Sequence, residues 1–131
     1  MIKIILGALA YIIPSMPWGY FWHLTVFKKQ YDKWQYFPAG RSVPLAFIAM
    51  VIQGTILSVA YALLPIQHTS VANIFAFVSV MGIFFWSRVV VPSMAQHPTT
   101  RTPGFFFLET AYVIGQFALF GAFLCAAYLF V

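Results

Sequence analysis

Acidic residues are almost missing from this chain. Asp32 and Glu109 are the only two among 131 residues, against seven lysines and arginines. Asp32 stands in a basic, aromatic connecting segment and Glu109 in an apolar run, so general acid–base work by a carboxylate pair is excluded. Cysteine is scarcer still. Cys125 stands alone in an apolar run, which rules out an intrachain disulfide and any cysteine-based metal site and reads as packing. His23, His68 and His97 are scattered, with no metal-ligand spacing. A Gly-rich phosphate loop, an HExxH pair and a Gly-x-Ser-x-Gly elbow are all absent. These absences predict a protein that is not an enzyme and needs no cofactor or metal.

Charge of either sign is rare. Only 7% of residues are charged, where a soluble domain carries about 25%. Hydrophobic residues make up 63% and the mean hydropathy is +0.90. Such a chain cannot cover itself with a polar surface, and its long apolar runs identify a multi-pass helical membrane protein. The short alternating segments of a barrel are not present. The runs predict transmembrane helices over residues 2–27, 44–64, 71–91 and 105–131. The expected fold is all-α: a single transmembrane domain, residues 1–131, forming an antiparallel four-helix bundle. The N-terminus superficially resembles a signal peptide, but its apolar run continues through two prolines and two tryptophans, so it reads as a retained first span.

Pro14 and Pro17 interrupt that first span. Each removes a backbone donor and crowds a preceding carbonyl, so the helix is expected to kink or open there. A packed kink and a discontinuous helix forming a midplane binding site are the two readings. Beyond the prolines, Trp18, Trp22, His23, Lys28 and Lys29 form an aromatic and basic membrane border. His23 is there either a hydrogen-bonded histidine at the interface or a cofactor ligand or proton relay. The segment at residues 28–43 mixes Lys28, Lys29, Lys33 and Arg41 with Tyr31, Trp34, Tyr36 and Phe37, which suits a stretch lying among lipid headgroups.

In the second span Ala46, Ala49, Gln53 and Ala60 share one face, and Gln53, near mid-membrane, should bond to another span. The third and fourth spans each hold a single charge, Arg88 and Glu109, about one turn inside the ends that flank their shared loop. At equal depth the two are expected to pair. Glu109, Tyr112 and Gln116 make a polar stripe on the last helix, and Ala111, Gly115, Ala118 and Ala122 a separate small-residue stripe suited to an oligomer face. His23, Gln53, Arg88, Glu109, Tyr112 and Gln116 thus form a candidate polar cluster, either a structural ion-pair network or a binding or proton-handling site.

Lys28, Lys29, Lys33, Arg41, Arg88 and Arg101 lie on one side of the membrane and only Lys3 on the other. The positive-inside rule then places both long loops in the cytoplasm and both termini outside. The net charge of +5 is explained by topology and anionic headgroups, not by nucleic acid.

The residues Trp22-His23-Leu24, Val26-Phe27 and Tyr31, followed by Pro44-Leu45-Ala46-Phe47, Ala49-Met50, Ile52-Gln53-Gly54 and Leu57-Ser58, carry a resemblance. With four spans and an acid early in the last, the chain resembles small bacterial four-span inner-membrane proteins of unknown function. That resemblance implies a bacterial inner (plasma) membrane location and brings no functional residue with it. The functional expectation is a non-catalytic accessory or structural subunit of a larger membrane complex, or a homo-oligomer. Its partners would be the lipid bilayer and other membrane subunits or itself. The alternatives are a small transporter or channel-like protein using Arg88 and Glu109, and a cofactor-binding protein with His23 as ligand.

Overall fold

The computed structural model describes residues 1–131; it is all-α, 82% helical, with no strand. Helix α1 spans Ile2–Phe21 and runs directly into a π-helical turn, Trp22–Val26; a short helix α2 follows at Lys28–Lys33. Helices α3 (Val43–Leu63), α4 (Val71–Gln96) and α5 (Pro103–Leu129) complete the chain, with a single 3₁₀ turn at Pro98–Thr100. Four of the segments are long and apolar enough to cross a membrane: Ile2–Val26, α3, α4 and α5. The molecule is therefore a multi-pass membrane protein by its helices as well as its composition.

Helices α3, α4 and α5 begin alike. Ser42, Ser70 and Thr102 are N-caps whose hydroxyl oxygens accept from the amides of Leu45, Asn73 and Phe105. Pro44 and Pro103 fall in first turns, where a missing N–H costs nothing. Two helix ends are closed by cations. Lys3 Nζ donates to the carbonyls of Ala127 at 2.8 Å and Val131 at 3.0 Å, and Arg101 donates to those of Met94 and Ala95 at the end of α4.

Two expectations about boundaries change. Helix α4 does not stop at Val91 but continues through Pro92 to Gln96, because the turn beyond it is held from outside: Thr100 Oγ1 donates to Ser93 O at 2.8 Å. Helix α1 keeps its helical path through Pro14 and Pro17. Those rings carry no N–H for the carbonyls of Ala10 and Ile13, and the departure from α geometry comes later, in the π turn.

Helix α1 packs against α3 and α5, and α5 also packs against α4. Small residues set each approach. Gly54 of α3 leaves room for the Ala8 carbonyl, and Ser58 sits on Gly7 and donates to the Ile4 carbonyl at 2.6 Å. The Trp18 indole lies directly over Gly115, while Gly82 receives Phe117 and Gly121 receives Phe75. In each of these three pairs, residues early in one helix meet residues late in the other. At one end Tyr61 gathers Phe77, His68 and Tyr128 around its ring at 5.1 Å each and donates to the His68 carbonyl. At the other end Tyr31 and Trp34 are buried beneath α1 and α5, with Trp34 edge-on to Phe105. The aromatic residues of residues 28–43 thus pack inward and do not all lie among headgroups; the exposed Lys28–Asp32 pair takes the outer side.

Candidate functional site

Beneath the proline-containing half of α1, the π turn points His23 into the protein, where it is 6% exposed. Short π segments inside helices often mark functional positions. Facing it from the second turn of α5 is Glu109, 1% exposed. The His23 Nε2 lies 3.2 Å from both carboxylate oxygens, so one imidazole N–H is shared between them.

Two phenols complete the carboxylate's surroundings. Tyr31 accepts from the Trp22 indole at 3.1 Å, and its phenol and that of Tyr36 lie close enough to Glu109 to feel its charge. Burial holds both phenols well above the usual tyrosine range, and the Glu109 charge raises them further. Both therefore remain donors. Around the imidazole stand four rings: Tyr112 at 4.2 Å, Tyr31 at 4.5 Å, Phe37 at 5.2 Å and Tyr36, stacked, at 5.7 Å. Together these rings form an aromatic box, with Tyr36 stacked on the imidazole and Tyr31 and Phe37 perpendicular to it. His23 fills it from within the same chain.

The expected pair Arg88–Glu109 does not form. Glu109 pairs with His23, and Arg88 is exposed and makes no ion pair. The reason is angular. Trp86 turns toward α5 and donates to Thr110 Oγ1 at 2.9 Å, and a residue two places on points about 200° round the helix, away from α5. On α5 itself Thr110 and Phe117 meet α4, whereas Glu109 and Gln116 face α1.

Tyr112 joins the site both ways, with its ring against His23 and its carbonyl accepting from the Trp18 indole at 3.0 Å. Gln116 and Gln53 belong to a second polar group one to two turns deeper. Gln116 Nε2 donates to the Tyr11 hydroxyl and to Ser15 Oγ at 3.2 Å each, and Tyr11 donates to Gln53 Oε1 at 2.9 Å. Gln116 Oε1 has no partner and is buried. Gln53 does bond to another span, as its mid-membrane position requires, yet the residue stays exposed. Of the small stripe, Ala111, Ala118 and Ala122 are exposed, while Gly115 is covered by Trp18. A groove of about 480 Å³ between α4 and α5 is lined mainly by apolar residues, among them Ile83, Phe117 and Ala118.

Tyr31, Tyr36 and Phe37 are the site residues that composition hid. For Tyr31 the signal was present: Phe27, Tyr31 and Trp34 recur at i, i+4, i+7, one face of a helix inside a basic segment. No group of three or more metal-ligating side chains converges anywhere in the structure. Compared with known proteins, the chain matches no family model, no curated protein and no solved structure.

Proposed function

We propose that this is a non-catalytic integral membrane protein that works by assembly, as an accessory or structural subunit of a larger membrane complex or as a homo-oligomer. Its spans form an antiparallel up-down-up-down bundle. The basic residues Lys28, Lys29, Lys33 and Arg41 put the residues between α1 and α3 in the cytoplasm and both termini outside. The resemblance of its first two spans supports a bacterial inner-membrane location.

The observation that carries this reading is the filled box. The one buried acid is matched inside the chain by His23, Tyr31 and Tyr36, and the box it shares is occupied by its own imidazole. A group closed in this way ties the first span, the α2 segment and the last span into one unit. It leaves the outer faces of α3 and α4 to carry the interactions. Gentle extraction from the native membrane followed by native mass spectrometry tests the proposal. A defined heavier species is expected, and a bare 14.8 kDa chain overturns it.

A second reading has its own observation. A histidine and a glutamate sharing one proton beside two phenols form a group that can take up or release a proton at a membrane border. On that reading the protein is a small proton-linked transporter, with His23 in the place first expected of Arg88. Transport into proteoliposomes that survives both His23→Gln and Glu109→Gln rules it out.

A further inference from the structure

Helix α3 is the least covered of the four spans, with only Gly54, Ser58 and Tyr61 buried, all on the side turned to α1. About 100° round the helix from Gly54 stands Gln53, ten residues into a 21-residue span and hence near its centre. Its Oε1 accepts from Tyr11, but its NH₂ donates to nothing, and the residue is exposed. Two unpaired amide donors facing hydrocarbon are unfavourable by a margin that membrane proteins relieve across helix–helix contacts. Ala49 and Ala46, one and two turns earlier on the same side, are exposed too, and so small that another backbone can approach closely.

We propose that this face of α3 binds the α3 of a second copy of the chain, forming a two-fold dimer with Gln53 at its centre. The inference rests on the assembly reading above and specifies its partner and surface. Two features select a second copy over an unrelated partner. Copies inserted with the same topology are related by an axis along the membrane normal, so their α3 helices run parallel and Gln53 stands at the same depth in both. An amide is also self-complementary. The carbonyl oxygen that accepts from Tyr11 keeps a second lone pair, and the NH₂ of the other copy can donate to it, giving two reciprocal bonds across the axis. Ala46 and Ala49 then bring the helices within reach of so short a side chain.

The test uses the full-length protein in its own membranes with Cys125→Ser, leaving no other cysteine. Single cysteines are placed at Ala49 and, as controls on a different exposed side of α3, at Ile48 and Thr55. Oxidation is expected to give a covalent dimer with Ala49→Cys and none with Ile48→Cys or Thr55→Cys. In a separate measurement Gln53→Leu should weaken dimerisation roughly 3- to 30-fold, the span of measured interhelical polar contacts, with Gln53→Asn weakening it less. Equal cross-linking at all three positions, or none at Ala49 while native mass spectrometry still shows an assembly, overturns this interface but leaves the assembly reading standing. A bare monomer by mass overturns both.

Discussion

Truncating Glu109 to alanine removes the carboxylate that the His23 imidazole N–H bonds to and that the Tyr31 and Tyr36 phenols lie beside. A buried donor left without an acceptor costs ~1–3 kcal/mol, and losing one partner of a buried ion pair costs about 3–5 kcal/mol. These costs overlap, because all arise from the one missing carboxylate, so the expected loss is at the level of the pair, about 3–5 kcal/mol. Glu109→Gln keeps one acceptor oxygen and should cost about 1–2 kcal/mol. The discriminating quantity is the coupling. Groups that share a hydrogen bond show interaction energies of about 0.5–3 kcal/mol in a double-mutant cycle, whereas groups without common partners add within about 0.5 kcal/mol. The His23→Ala/Glu109→Ala cycle should therefore show clear coupling and the Arg88→Ala/Glu109→Ala cycle none. Reversible unfolding in mixed micelles, followed by the fluorescence of Trp18, Trp22 and Trp34 beside the site, measures both. Coupling of Arg88 with Glu109 above ~1 kcal/mol, with none for His23, would refute the geometry described here.

Alkaline pH should loosen the same end of the molecule. Tyr31 and Tyr36 have folded-state pKa values raised above the ordinary 10 by burial and by Glu109, so their stabilisation is complete below pH 10 and falls as pH rises beyond it. Each phenol should lose about 1.4 kcal/mol per pH unit above 10, and Tyr31→Phe with Tyr36→Phe should make a pH series of unfolding curves shallower by their share. Gly115→Leu should destabilise by at least ~1–3 kcal/mol, because any Cβ there collides with the Trp18 indole, and Trp18→Ala should partly rescue it. Lys3→Met should cost only ~0.3–1 kcal/mol, since Lys3 caps the α5 carbonyls from a solvated position; thermal unfolding in detergent reads this.

The membrane class and the four spans were legible because they depend on run length and composition, which local sequence carries. The span limits were legible to within a few residues except at Pro92, where a distant cap from Thr100 lets the helix continue. Glu109, Tyr112 and Gln116 were legible as one stripe, because helical periodicity alone places them together. The partner of Glu109 was not legible. Equal depth made Arg88 plausible, but the choice between Arg88 and His23 depends on which neighbouring helix each face of α5 meets, and that is set by close packing at Gly82 and Gly115. The π turn that carries His23 leaves no local sequence signature beyond the prolines before it. Tyr31 and Trp34 looked interfacial because lysines surround them, although their helical spacing already marked an inward face.

The measurement that bears most directly on an assembling protein is the copy number in an undisturbed bilayer. With one fluorophore on each chain, expressed at low density in its native membrane, single-particle photobleaching counts subunits without extraction. The account predicts particles that bleach in two steps and shift toward one step with Gln53→Leu. Particles that bleach in a single step for the unaltered chain, with no other protein moving alongside, would contradict it.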